Sequence, residues 1–167
     1  MILATLCYIK EDAKTLMLHR VKREGDIHKN KWNGLGGKIQ PSETPEECVI
    51  REVGEEAGIT IQNPELCGIL TFPNFDGKQD WYAFVFTATE FTGRPHAECD
   101  EGRLEWIEDG KLLTLPLWEG DPIFLKWIEE RKFFSAKFCY AKGKLISHDV
   151  TFHQVKEEED HAKRKKA

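Results

Sequence analysis

Glu52, Glu55 and Glu56 fall within one short run, ETPEECVIREVGEEAGI (residues 43–59), and Arg51 directly precedes them. On a helix, carboxylates at this spacing meet about one turn apart, where like charges repel. The neighbouring residues do make a helix. Thr44, Pro45 and Glu47 supply an N-cap, a first-turn proline and a capping-box partner, and Gly58 marks the end. At about 100° per residue, Val49, Val53 and Ala57 share one side, and the three glutamates lie within roughly 100° beside it. A solvated acidic face is the common fate of such residues. Here no lysine stands at i+4 to pair with them, and the acidic arc adjoins the apolar side instead of opposing it. Gly54 adds about 1 kcal/mol of helix cost relative to alanine. A divalent cation resolves the repulsion, because a hard ion such as Mg²⁺ prefers several oxygen ligands.

Between Gly37 and Ile59 the chain carries Gly37, Glu43, Arg51, Glu52, Val53, Glu55, Glu56, Gly58 and Ile59 at the spacing G-x5-E-x7-R-E-U-x-E-E-x-G-U, where U is bulky and aliphatic. It thereby resembles the Nudix family without gap or mismatch. The resemblance implies an α/β (mixed α+β) fold, an α-β-α sandwich with a central mixed sheet. It also implies hydrolysis of nucleoside diphosphates linked to another group, with Mg²⁺ or Mn²⁺ as cofactor. Glu52, Glu55 and Glu56, with the Gly37 carbonyl nearby, are the implied metal ligands. A cation so held bridges phosphate oxygens, neutralises developing charge and lowers the pKa of an attacking water. Arg51 orients the glutamates, and Glu43 supports the loop and helix. Glu52, or Glu101 in ECDEGRLEW, is the candidate base.

The flanks extend the resemblance. WNGLGGKIQPSET, LTF, DWYAFVF and LPLWEGD are similar to MutT-type enzymes that hydrolyse oxidised purine nucleoside triphosphates. Carried over residue by residue, this places Asn33 and Asp121 at the base, Phe72, Trp81 and Trp118 as walls, and Thr5 beside the pocket. Guanine presents N7 as an acceptor, whereas 8-oxoguanine carries a hydrogen there, so an acceptor on Asn33 or Asp121 rewards the oxidised base. Gly36 permits close approach by a ligand. Lys38 and Arg23 complete the expected substrate contacts, although the lysine-rich loop holding Arg23 reads equally well as solvated. One departure stands out. Where the family has two successive aspartates, this chain has Gly120 and Asp121, so one base-reading carboxylate is missing.

These residues need a scaffold. Strands are expected over 3–9, 15–21, 68–72, 80–89 and 104–108 and in KFFSAKFCY and LISHDVTFH, with a second helix over 122–132. A chain of 167 residues suits one domain, expected over 1–155, followed by a charged tail over 156–167 that reads as frayed or disordered. The net charge of −5 argues against broad nucleic-acid binding, so no stable nucleic-acid partner is expected. Five scattered cysteines and an opening MILATLCYI too short for a membrane span suit a cytoplasmic enzyme, monomeric or homodimeric. GLGGKI fails the phosphate-loop pattern, because Ile39 follows Lys38. Cys48 reads as a packed thiol and His19 as an ordinary strand residue. The expected function is Mg²⁺-dependent pyrophosphohydrolysis of nucleoside triphosphates such as 8-oxo-dGTP. The alternatives are another Nudix substrate (a nucleotide sugar, a dinucleotide polyphosphate or an RNA 5′ end) and a catalytically inactive nucleotide sensor.

Overall fold

A computed structural model describes residues 1–154. Strand β1 (Ile2–Glu11) turns back into β2 (Lys14–Arg20) through Asp12 and Ala13, whose φ values of 51° and 58° are the left-handed pair that a two-residue type I′ turn demands. On its other side β1 runs parallel to β6 (Trp81–Ala88). The sheet continues through β5 (Glu65–Phe72), antiparallel to β6, and β9 (Phe133–Ala141), parallel to β5. It ends at β10 (Lys144–His153), antiparallel to β9. Beyond β2 lie β3 (Trp32–Asn33) and β8 (Gly102–Glu108), both antiparallel to it. A separate two-stranded ribbon joins β4 (Thr60–Gln62) to β7 (Glu90–Thr92).

The period of two along the central strands divides the core. Cys7, Ile9, Leu16, Leu18 and Phe86 face one side, where Val49, Val53 and Ala57 of α1 (Pro45–Ala57) are buried against them. Tyr8, Met17 and Val85 face the other, where Phe124, Leu125 and Trp127 of α2 (Asp121–Glu129) complete a second cluster. Helices on both faces of a mixed sheet make the expected α-β-α sandwich.

The start of α1 has the anticipated chemistry. Thr44 Oγ1 accepts the Glu47 N–H at 3.1 Å, and Glu47 Oε2 accepts the Thr44 N–H at 2.8 Å. Gly58 closes the helix in the left-handed conformation, with its N–H donating to the Gly54 carbonyl at 2.9 Å. Of the expected 122–132, the second helix keeps only the part up to Glu129: its apolar residues stop at Ile128, and Arg131 turns left-handed (φ 55°) and leads the chain into β9. Strands β3, β4 and β7, of two or three residues each, have no sequence expectation. Such lengths hold too little alternation to read. The expected tail at 156–167 lies outside the described residues. Among the described residues no helix is long and apolar enough to cross a membrane.

Candidate active site

The loop between β3 and α1 is stitched to β1. Leu35 exchanges backbone hydrogen bonds with Cys7 at 2.6 and 2.9 Å, and the Ile39 N–H reaches the Leu3 carbonyl at 2.9 Å. The Gly37 carbonyl, expected near a cation, accepts the Thr5 N–H at 2.8 Å, with Thr5 Oγ1 at 3.5 Å and Cys48 Sγ at 3.7 Å. Its Cα is bare for a visible reason, since a Cβ there would overlap the Glu52 carboxylate. The neighbouring Gly36 N–H donates to Glu56 Oε2 at 3.1 Å. The glycine loop therefore cradles two of the helix carboxylates.

Arg51 answers much of the charge problem. Its Nε and Nη2 grip Glu43 at 2.6 and 3.0 Å, while Nη1 reaches Glu52 at 2.7 Å and Glu55 at 3.3 Å. Its bonds to Glu43 hold that carboxyl down at about 2. Glu56 lacks such relief. It is 8% exposed, and burial, then the charge of Glu101, then that of Glu52, push it up to about 8 against the opposing Gly36 N–H and Arg20. As placed, no three acidic, histidine or cysteine groups among the described residues converge on one point, because Arg51 Nη1 draws Glu52 and Glu55 toward itself. The donor set still fits a hard divalent cation. It is all oxygen, and its most buried carboxylate is disfavoured as an anion despite the Gly36 N–H and the charge of Arg20.

A single cavity of about 690 Å³ runs from this acidic end toward the start of α2. Every residue expected to touch substrate lines it. Thr5, Arg23, Gly36 and Lys38 are in the wall, as are Asn33, Phe72 and Trp81, and Trp118 and Asp121. Gly37, Glu52 and Glu101 line it as well, whereas Arg51, Glu55 and Glu56 do not. Glu101 is brought to Glu56 but is itself held, with Arg20 Nη1 at 2.5 Å and Arg23 Nη1 at 3.2 Å. Lys22 of the lysine-rich loop pairs with Glu98 at 2.6 Å, and Arg23 lies 60% exposed beside Glu101.

At the far end aromatic rings crowd together. Trp118 donates its indole N–H to His28 Nδ1 at 2.9 Å and meets Phe75 and Tyr140 edge-on, with centroids at 5.0 and 5.5 Å. Phe72 packs against Phe75 and Tyr140, and Lys31 Nζ sits 5.2 Å from the Trp118 ring centre. Trp81 is tied through Nε1 to Asp76 at 3.0 Å and carries Lys38 Nζ 5.4 Å from its ring centre. Asp121, the first residue of α2, is 9% exposed, and burial pushes its carboxyl up to about 7 against Trp118 and Lys31.

Sequence reasoning missed Arg20, Asp26, His28, Phe75 and Tyr140, all of which line the cavity. For Phe75 a signal existed. It is a lone aromatic in the turn-rich PNFDGK, where burial in the main core is less expected. Cys48 is a fully buried thiol beside Thr5 Oγ1 at 3.4 Å, and His19 lies in β2 stacked on Trp32 at 4.3 Å, as expected of both.

The comparisons with known proteins agree with this geometry. The NUDIX domain family model matches residues 2–128. The chain is 31% identical over 159 residues to an oxidized purine nucleoside triphosphate hydrolase of Danio rerio, covering 95% of this chain and 96% of the relative. It is 37% identical over 133 residues to diphosphoinositol polyphosphate phosphohydrolase 2 of Mus musculus, covering 77% of this chain and 69% of the relative. Among solved structures, the MutT protein of Bacillus halodurans superposes with a TM-score of 0.80 at 32% identity, covering 90% of this chain and 97% of the other. Nudix hydrolases generally use divalent metal ions, in keeping with the oxygen-rich donor set. With the family model spanning most of the chain, and Gly37 and Glu52 of its motif lining the cavity, this protein belongs to the Nudix family and is a hydrolase acting on phosphoric anhydrides.

Proposed function

We propose that the chain is a Mg²⁺-dependent nucleoside triphosphate pyrophosphohydrolase that favours oxidised purine nucleotides and sanitises the cytoplasmic nucleotide pool. One observation carries this reading: a single cavity has carboxylates at one end and, at the other, an indole wall beside a buried carboxyl. Such a volume suits one small ligand with a charged end and a flat end.

Glu52, Glu55 and Glu56 would hold the cation, which when bound supplies charge neutralisation at the phosphates and a water of lowered pKa. The chain's own residues do the rest. Arg51 fixes the directions of Glu52 and Glu55 while Gly36 and Gly37 leave space for the carboxylates. Glu52 or Glu101 accepts the proton of the attacking water, and Arg20 and Arg23 hold Glu101 in place. Trp118, with Phe72 and Trp81, offers apolar surface for the base, where stacking contributes about 1–3 kcal/mol. Asn33 and Asp121 read its edge. A carboxyl poised at about 7 either donates or accepts near neutral pH, which broadens the purines one aspartate accommodates where Gly120 replaces the second.

The likeness to a diphosphoinositol polyphosphate phosphohydrolase supports a second reading, a phosphoanhydride without a base. The aromatic end argues against it, because an inositol ring has no flat π face to stack. A nucleotide sensor fits poorly with a complete acidic set. Phosphorus NMR of the products of 8-oxo-dGTP hydrolysis tests the proposal. The expected products are nucleoside monophosphate and pyrophosphate in equal amounts, and stepwise release of inorganic phosphate would contradict it.

A further inference from the structure

The loop between β2 and β3 supplies consecutive lining residues from Arg23 to His28. A chain of hydrogen bonds runs through it from one end of the cavity to the other. Arg20 Nη1 donates to Glu101 Oε2 at 2.5 Å and Arg20 Nε to Asp26 Oδ2 at 2.8 Å. Asp26 Oδ1 accepts the His28 backbone N–H at 3.0 Å, and His28 Nδ1 accepts the Trp118 indole N–H at 2.9 Å. An indole nitrogen only donates, so His28 Nδ1 carries no proton and the ring is the neutral Nε2–H tautomer. Burial, reinforced by the charge of Arg20, lowers the imidazole pKa to about 4 and keeps that state in place at neutral pH.

The contacts around Trp118 divide its restraint. Phe75 and Tyr140 meet it edge-on, at 65° and 83°, and limit how far the ring can tilt. The second side-chain torsion of tryptophan has a broad, shallow profile, so ring packing alone leaves rotation open. The bond to His28 closes it. His28 is held in turn by its T-shaped contact with the indole (centroids 5.7 Å, 85°) and by stacking on Phe75 at 6.0 Å.

We propose that His28 is a specificity-determining positioning residue: by accepting the Trp118 indole N–H it sets the plane on which a nucleobase stacks, and Asp26 and Arg20 tie that plane to Glu101. This rests on the nucleotide reading above. Its consequence is selective. Substrates bearing a large flat base depend on His28, and those with a smaller base depend on it less.

His28→Ala removes the acceptor, while His28→Asn places Oδ1 near the position of Nδ1. For a purine nucleoside triphosphate, His28→Ala is expected to raise KM about tenfold with a smaller change in kcat, and to narrow the kcat/KM preference for 8-oxo-dGTP over dCTP. His28→Asn should restore most of both. In a Trp118→Phe background, which has no indole N–H, His28→Ala should change KM by less than about twofold. A readout free of turnover is the ¹⁵N–¹H signal of the Trp118 indole, identified by its loss in Trp118→Phe. It should shift and exchange faster with solvent in His28→Ala and not in His28→Asn. An unmoved indole signal, or an equal KM effect of His28→Ala with and without Trp118, would overturn the proposal. A wild-type enzyme that turns over no nucleoside triphosphate overturns the nucleotide reading and the selectivity role with it. An indole signal that still responds to His28→Ala tells that outcome apart from absence of the bond.

Discussion

Arg51 binds Glu43, Glu52 and Glu55, yet Glu56 sits 8% exposed among other carboxylates with only the Gly36 N–H as hydrogen-bond donor. Glu56→Gln keeps an acceptor for that N–H and removes the ability of the group to ionise and serve as an anionic ligand. Turnover is expected to fall at least about a hundredfold, as when a charge-stabilising group is lost, with the circular dichroism spectrum unchanged. Wild-type turnover in this variant would refute the role of Glu56. Asp121 makes a second case. Its unfolded reference of 3.8 lies below its folded value of about 7, so the folded state binds the proton more tightly. Below pH 3.8 the group costs nothing, and stability is lost as pH rises toward 7. Asp121→Asn should therefore match wild type near pH 4 and exceed it in urea unfolding at pH 8, with roughly 4 kcal/mol as the ceiling. Equal stability at pH 8 would contradict the burial argument. The box residues could be read from spacing because they fall within 23 positions of one another. His28 and Arg20 could not, since their partners Trp118 and Glu101 lie 90 and 81 residues away and only folding joins them.

Helix α1 shows how local signals suffice at the scale of an element. The N-cap, capping box and closing glycine all stand where side-chain and backbone chemistry requires them. Thr44→Ala is expected to cost about 1 kcal/mol and lower the melting temperature by roughly 2–4 °C, measured by calorimetry. Gly54, a local weakness in the sequence, has open space around it, with only the Ile59 carbonyl within reach of an added Cβ, at 3.7 Å. Gly54→Ala should stabilise by about 0.5–1 kcal/mol in urea unfolding. Destabilisation would show that the glycine serves a contact the packing does not reveal. Apolar alternation made the long central strands visible, since Cys7 and Tyr8 face opposite cores. The end of α2 was less legible, because Glu129, Glu130, Arg131 and Lys132 carry no apolar periodicity and the left-handed turn at Arg131 leaves no mark in it.

At the scale of the molecule, the sandwich holds the acidic helix against one face of the sheet while the loops before β3 and α2 wall the cavity that leads away from it. A cation that binds only the folded chain stabilises it, by about 2.7 kcal/mol at a hundredfold excess over its dissociation constant. Mg²⁺ should therefore raise the melting temperature and EDTA reverse the gain, an effect that Glu56→Gln reduces. The central claim is that one cavity joins anhydride hydrolysis to recognition of an oxidised purine. The most direct test is kcat/KM with Mg²⁺ for 8-oxo-dGTP and dGTP, alongside nucleotide sugars, capped RNA ends and a diphosphoinositol polyphosphate. A preference for 8-oxo-dGTP of at least about tenfold, or roughly 1.4 kcal/mol of discrimination, is the expected result. Equal activity on the two triphosphates, or a better substrate elsewhere in the panel, would contradict the base-reading role of Asn33, Trp118 and Asp121 and leave only the Nudix chemistry.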